Sequence, residues 1–341
     1  MLSFKFTAKK IWKEIDHSKK ILLHLHPGAD GDSVGSALAM YHVLKGLNKD
    51  VDLIQGDTDL PKNISTLPGV DKIIPKNIFQ IDLDQYDLFI VLDSSSLKQI
   101  SRLGDIKFPK KLKLISIDHH ISNEKFAKAN LIVPTAPATA QVLFDFFQVR
   151  KIKLNQKIAS CLFAGIYTDT GGFKYVNTTY KTLNIASQLS KIYPKFSELI
   201  FNIENTDTPE RLKLISILLS SVENYFSNHV ALASISFEEI KDSNLNQAVV
   251  TGNSEVANML KAVVGWDISL TLMEIQPETV KISLRTRDSQ KYDLSKIATA
   301  LNGGGHKAAA GATLNMSLPQ AKETVLATIK KLYPKINQET K

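Results

Sequence analysis

Four separated segments of this 341-residue chain carry acids and histidines in arrangements that could hold cations. The first, His26-Pro27-Gly28-Ala29-Asp30-Gly31-Asp32, puts one imidazole and two carboxylates on a turn whose glycines let the backbone fold tightly enough to converge them. Asp93 follows the apolar run Leu88 to Leu92, and Asp118-His119-His120 follows Leu114 to Ile117. Asp169 lies in the polar, glycine-rich stretch Tyr167-Thr168-Asp169-Thr170-Gly171-Gly172. Each segment alone also reads as a polar loop, a helix cap or a turn. Together they demand more, because ionisable groups gathered at the ends of buried strands are costly to desolvate and repel one another unless positive charge lies between them.

Divalent cations meet that demand. Carboxylate and imidazole donors without thiolates suit manganese or magnesium, and the several imidazoles favour Mn2+. So many carboxylates suit two ions better than one, with a central carboxylate shared between them, and Asp93 is the candidate for that position. Water activated between two such ions would attack phosphorus in line.

The elements that must position these residues follow from periodicity. Ile21 to His26, Val51 to Gln55, Leu88 to Leu92 and Lys113 to Ile117 read as strands, with a helix over Ser33 to Leu47 capped by Asp32 or Ser33. Alternation of such strands with helices predicts an α/β fold, a parallel sheet with helices on both faces, whose ligands sit at the carboxyl ends of the strands. Helical patterns continue over Gln156 to Tyr167, Tyr180 to Ile192 and Pro209 to Tyr225, the last read as a connecting helix and hinge. A smaller C-terminal α+β domain then begins, with strands at His229 to Ser236, Ile268 to Glu274 and Thr279 to Leu284, a helix at Glu255 to Val264 and a glycine-rich turn at Asn302 to Gly311. The expected division is a metal-binding domain over 1–205, a linker over 206–227 and a substrate-binding domain over 228–341, with a loose tail from Asn337.

Bulk properties exclude other classes. The formal charge of +8 suits a polyanionic ligand, although the 42 basic residues are spread along the chain. The single cysteine, Cys161, rules out an internal disulfide or a thiolate zinc cage and reads as a small buried hydrophobe. With no secretory pattern and no apolar run of membrane-spanning length, an intracellular, cytoplasmic enzyme without membrane contact is expected.

The motifs His26-x3-Asp30-x-Asp32-x2-Gly35-Ser36, Asp93, Asp118-His119-His120 and Asp169-Thr170-Gly171 resemble, in order and spacing, those of the DHH phosphoesterase family. Ser283-Leu284-Arg285 and Gly303-Gly304-Gly305-His306-Lys307 to Gly311 resemble the substrate-binding domain associated with it, so the likeness runs from about residue 20 to about residue 315. Within the family the chain looks most like the nanoRNase/pAp phosphatase subgroup. That resemblance implies hydrolysis of very short single-stranded RNA or DNA and of the nucleotide bisphosphate 3′-phosphoadenosine 5′-phosphate (pAp). It implies that His26 and Asp30 hold one metal, that Asp32, His119 and Asp169 hold the other, and that Asp93 bridges them. His120 would face the substrate phosphate, which places His120, Asp93 and Asp118 among the catalytic residues. Two positions depart from the family: Gln141 stands where a glutamate is frequent, and Gly172 where a bulkier residue is. His24, in the first strand, reads as a structural or supporting residue.

Substrate capture falls to the C-terminal domain. Gly303, Gly304 and Gly305 can expose backbone N–H groups to a phosphate, with Arg285 and His306 as further donors, and Arg102 is a phosphate-contact candidate from the first domain. The chain lacks an extended basic stripe or a long aromatic array, which favours substrates of a few units over long duplexes. Cyclic or linear dinucleotides and pyrophosphate are alternative substrates, and a non-catalytic nucleotide- or RNA-binding protein is the alternative of another class. Oligomeric state is left open, a homodimer included.

Overall fold

The computed structural model describes residues 2–251 and 255–337. The chain forms two compact units, Met1–Thr206 and Asp207–Lys341.

The first unit is built on six strands: β1 (Lys20–His24), β2 (Asp50–Ile54), β3 (Ile73–Ile74), β4 (Leu88–Leu92), β5 (Lys113–Asp118) and β6 (Ala129–Ile132). All pair in parallel, in the order β3-β2-β1-β4-β5-β6. Both sheet faces are covered, which is why the central strands read as continuous apolar runs; every residue of β4 is buried. One face packs against α1 (Leu2–His17), α2 (Gly31–Gly46), α3 (Thr139–Val149), α4 (Gln156–Asp169), α5 (Tyr180–Ile192) and α6 (Phe196–Glu204). On the other face the covering helices are single 3-10 turns joined by coil, with Ile78, Ile100 and Leu112 seated on Leu22, Phe89 and Val91.

Strand order fixes where a ligand site can form. From β1 the chain runs outward through β2 and β3, then returns to β4 and proceeds the other way, so the loops after β1 and β4 diverge and open a crevice at the strands' carboxyl ends. The register sets Leu92 beside Ile117, and the amide of Asp93 continues the ladder to the Ile117 carbonyl at 3.1 Å. Asp93 and Asp118 therefore leave adjacent strands side by side.

The second unit contains α7 (Pro209–Ser220), β7 (Glu223–Tyr225), β8 (Val230–Ile235), α8 (Phe237–Asp242), α9 (Gln247–Thr251), α10 (Glu255–Lys261), β9 (Ile268–Gln276), β10 (Thr279–Thr286), α11 (Leu294–Ala300), β11 (Gly304–Gly305), β12 (Ala309–Asn315) and α12 (Leu318–Leu332). Its sheet, ordered β11-β12-β10-β9-β8-β7, is mixed, since only β8 and β9 run parallel. The helix expected over Pro209 to Tyr225 stops at Ser220, because Glu223–Tyr225 pair as an edge strand with β8. Its buried face, Leu214, Ile215 and Leu218, packs within the second unit against Ala231 and Ala233. Of the tail expected from Asn337, residues 338–341 lie outside the described residues.

Candidate metal centre

The turn after β1 is organised by Asp30. It is the N-cap of α2, its Oδ1 accepting the amides of Asp32 and Ser33 at 3.0 Å each. The helix thus starts two residues earlier than sequence reading gives, and the cap is Asp30 rather than Asp32 or Ser33. The reason is that Asp32 is turned inward: it is buried, and its oxygens accept the amides of Thr139 at 2.6 Å and Ala140 at 2.9 Å and the Ser36 hydroxyl at 3.0 Å. Those two amides open α3, whose N-cap Ala138 has no side-chain acceptor, so Asp32 caps that helix from across the domain.

Asp93 leaves β4 with a φ of 52°, the left-handed conformation that aspartate tolerates better than most residues. Its Oδ2 lies 3.4 Å from His26 Nε2, while its Oδ1 lies 3.5 Å from His119 Nε2 and accepts the Thr139 hydroxyl at 2.9 Å. His26 Nε2 also lies 3.9 Å from Asp30, and His119 Nε2 3.4 Å from Asp169. Ligand atoms of His26, Asp30 and Asp93 lie within 4.8 Å of one another, as do those of Asp32, His119 and Asp169. A third group with the same closeness comprises Asp93, Asp118, His119 and His120.

The imidazoles of His26 and His119 are both oriented from behind. His26 Nδ1 meets the Pro27 carbonyl at 3.3 Å and His119 Nδ1 the Ala136 carbonyl at 3.2 Å. A carbonyl only accepts, so these Nδ1 atoms donate and Nε2 is the atom turned to the carboxylates, an arrangement typical of metal-binding histidine. Asp118 works differently. Its Oδ1 accepts the amides of His119 and His120 at 2.8 and 3.3 Å and His120 Nδ1 at 2.7 Å, and its Oδ2 accepts Asn123 Nδ2 at 2.7 Å. Those bonds make Asp118 the anchor of the His119-His120 pair.

Electrostatics shows the strain of this assembly. Burial, then the charges of Asp93, Asp169 and Asp30, push the Asp32 carboxyl well above its ordinary range. Burial, then Asp93 and Asp30, push Asp169 up to about 7. Asp169 is also the last residue of α4, where the negative end of the helix dipole disfavours a carboxylate. For Asp93, burial acts upward, but the bond and charge of His26 with the charges of His119 and His120 hold it below the ordinary range. His26 is raised despite burial by its bond to Asp93. His120 is raised to about 9, first by its bond to Asp118. A divalent cation would relieve the repulsion that the protein alone answers with protons, and the donor set of carboxylate oxygens and imidazole Nε2 atoms fits one.

The remaining candidates lie elsewhere. Fully buried His24 bonds the Leu25 carbonyl through Nδ1, rests edge-on against Phe89 and is lowered to about 3 by burial, which makes it a neutral core histidine. Gln141 is buried in the first turn of α3. Exposed Arg102 follows Ser101 in a segment gripped by Asp57, which accepts the Ser101 hydroxyl at 2.8 Å and the Arg102 amide at 2.6 Å. In the second unit Arg285 donates to Asn258 Oδ1 at 3.0 Å and to the Leu284 carbonyl at 2.8 Å. The Gly303 amide donates to the Ala298 carbonyl at 2.7 Å, and a Cβ there would stand 2.2 Å from Gly311 O, so this glycine serves close packing. Gly304, Gly305 and His306 are exposed at the β11–β12 hairpin, and around Gly304 a Cβ would meet nothing within 4 Å. Thr139 and Asn123 escaped sequence reading, and Ser36 was read only as part of the first motif, not as a partner of Asp32. The one available signal was the position of Thr139 at the start of an apolar helix.

Acids and histidines gathered at the switch point of a parallel sheet, able to hold divalent metal, define the class of metal-dependent phosphoester hydrolases. The chain belongs to the DHH phosphoesterase family: residues 20–166 match the DHH family N-terminal domain and residues 218–334 the DHHA1 domain. Phosphoesterases of this family depend on divalent metal. The chain is similar to the bifunctional oligoribonuclease and PAP phosphatase NrnA of Thermus thermophilus, 29% identical over 94% of this chain and 92% of that protein. The NrnA of Bacillus subtilis is 26% identical over 86% of this chain and 89% of its own length. Among solved structures, an exopolyphosphatase-related protein from Bacteroides fragilis superposes with a TM-score of 0.87 at 26% identity, covering 97% of this chain and 98% of that one. No helix among the described residues is long and apolar enough to cross a membrane.

Proposed function

We propose that this chain is a cytoplasmic bifunctional phosphoesterase that removes nucleotides from very short single-stranded RNAs and dephosphorylates pAp, using two divalent ions, manganese before magnesium. The observation that carries the reading is the division of Asp93: one oxygen faces His26 and the other faces His119, each side having further donors of its own. His26 and Asp30 would hold one ion, Asp32, His119 and Asp169 the other, with Asp93 between them. The relatives named for both activities match over nearly the whole chain, which supports the choice of substrates.

Bound ions would supply Lewis acidity and an activated water at neutral pH. The protein supplies the rest. Thr139 and the start of α3 fix the Asp93 and Asp32 carboxylates, so little reorganisation is needed when charge develops. His120, held protonated by Asp118 and partly exposed, donates a hydrogen bond to a phosphate oxygen or a proton to the leaving group. Arg102, Arg285, the Gly304–Gly305 backbone and His306 are the proposed contacts to the rest of the substrate. A cytoplasmic location accords with such substrates and with a single, buried thiol.

The test is a turnover panel with Mn2+, comparing a short RNA, pAp, a linear and a cyclic dinucleotide and pyrophosphate, on the parent and on Asp93→Asn. Preference for the first two, lost in the variant while nucleotide binding persists, is expected. Comparable rates on all five would remove the substrate assignment, and an inert parent would remove the enzyme.

A further inference from the structure

Beyond Asp169 the chain makes a turn that metal binding does not account for. Gly171, Gly172 and Phe173 follow one another with φ of 56°, 68° and 65°, three left-handed residues in a row. The last is aromatic, for which this conformation is strained. Bonds back to the end of α4 hold the turn: the Gly172 amide donates to the Tyr167 carbonyl at 2.8 Å, and the amides of Lys174 and Tyr175 donate to the Thr170 carbonyl at 3.0 Å. Asn177 Nδ2 donates to the carbonyl of Asp169 itself at 3.2 Å.

The two aromatic residues of this turn part company. Phe173 goes inward, its ring edge-on to Phe163 and Tyr167 with centroids 6.2 and 5.6 Å away. Tyr175 goes outward and is 56% exposed, with its ring against Gly171, where a Cβ would stand 2.4 to 2.7 Å from three ring carbons. A lone exposed tyrosine needs no explanation. Here a strained, internally bonded turn spends its glycine and its anchored phenylalanine on fixing a tyrosine ring in solvent against Gly171, two residues after Asp169. Neighbouring Val176 is fully exposed, and Ile121, directly after His120, is 90% exposed, so apolar surface follows two of the motifs that build the centre.

We propose that Tyr175 is a stacking platform for the nucleobase of the nucleotide whose phosphate lies at the metal centre. The proposal rests on the nucleotide reading given above and adds how the base is held. Every base has a π-face, so stacking on a preorganised ring gives affinity without sequence preference, as an enzyme that degrades mixed short RNAs needs. The turn holds the ring in place before substrate arrives, which lowers the entropy lost on binding.

The test compares KM and kcat for a dinucleotide and for its abasic counterpart in the parent, Tyr175→Leu and Tyr175→Trp, all with Mn2+. In the parent, KM for the base-bearing substrate is expected to be lower by about tenfold. Tyr175→Leu should bring the ratio of the two KM values close to one, and Tyr175→Trp should preserve it. A parallel loss on both substrates at an unchanged ratio would show that Tyr175 only packs the turn, and an unaltered Tyr175→Leu would show that it does nothing; either overturns the proposal. A parent inert on both substrates defeats the nucleotide reading itself, whereas an active parent with an unaltered variant defeats stacking alone.

Discussion

Thr139 donates its hydroxyl to Asp93 at 2.9 Å and its backbone amide to Asp32 at 2.6 Å, so one residue at the start of α3 aligns two carboxylates, one from the end of β4 and one from the first turn of α2. Thr139→Val keeps the shape and the amide but removes the hydroxyl, leaving Asp93 free to rotate. Loss of such an outer partner weakens metal binding by roughly 10- to 100-fold. Calorimetric titration with Mn2+ checks this, with Thr139→Ser expected to recover most of the affinity. Unchanged affinity in the valine variant would mean that the remaining contacts hold Asp93 unaided.

Gly165 sets the spacing between α2 and α4. A Cβ there would stand 2.7 Å from Asp32 Oδ1 and 2.7 Å from the Cβ of Ala140. Gly165→Ala is therefore expected to push the helices apart or displace Asp32, destabilising the fold by about 1–3 kcal/mol. Urea unfolding of the metal-free protein measures the first effect and Mn2+ affinity the second. An alanine variant matching the parent in both would show that the helices accommodate a methyl group freely.

The clustering of these candidate ligands was legible in the sequence because several stand where an element ends: His26 after β1, Asp93 after β4, His119 after β5 and Asp169 closing α4. Parallel pairing of buried strands then brings such ends together with little further information. What escaped reading depends on contacts across the chain. Thr139 meets Asp32 at a separation of 107 residues through a backbone amide, and nothing in the residue type announces that. The capping error at α2 arose because Asp30 and Asp32 are equally good caps in sequence, and only burial decides that one caps its own helix and the other caps α3. Helix α1 and strand β6 went unread too. Exposed Phe6 blurs the amphipathic pattern of α1, and β6 spans only four residues. The helix expected to reach Tyr225 continued on apolar spacing alone, whereas the pairing partner that converts its end to β7 lies in β8.

Asp169 is expected to make metal uptake dependent on pH. With its carboxyl raised to about 7 by burial and by the Asp93 and Asp30 charges, the metal-free site holds a proton there at pH 6 and has largely lost it at pH 8. The same shift stabilises the metal-free fold at acid pH, where the folded carboxyl keeps its proton more tightly than the unfolded one. That contribution fades as pH rises from near 4 through about 7. Mn2+ binding should accordingly release more protons at pH 6 than at pH 8, and Asp169→Asn should reduce the difference, leaving the share of His26 and Asp32, which are raised as well. Titrations in buffers of different ionisation enthalpy read the proton count directly. Equal release at both pH values in the parent would mean that Asp169 is already ionised at pH 6.

His120 owes its charge to Asp118. The 2.7 Å bond from His120 Nδ1 to Asp118 Oδ1 is the largest cause of a shift to about 9, with the Asp118, Asp93 and Asp169 charges adding to it. Asp118→Asn keeps an acceptor for the His119 and His120 amides but removes the negative charge, so His120 should titrate closer to the ordinary 6.5. Because the folded value is raised, the pair stabilises the metal-free fold below 6.5 and its contribution fades as pH rises through about 9; the variant should lose that extra stability near neutrality. The NMR titration of the His120 ring in the metal-free protein, parent against variant, measures the shift. If His120 donates to the phosphate or the leaving group, the alkaline limb of turnover should move to lower pH in Asp118→Asn as well. A ring that titrates lower with no movement of that limb would separate the charge of His120 from the reaction and leave Asp118 as an anchor of the loop alone.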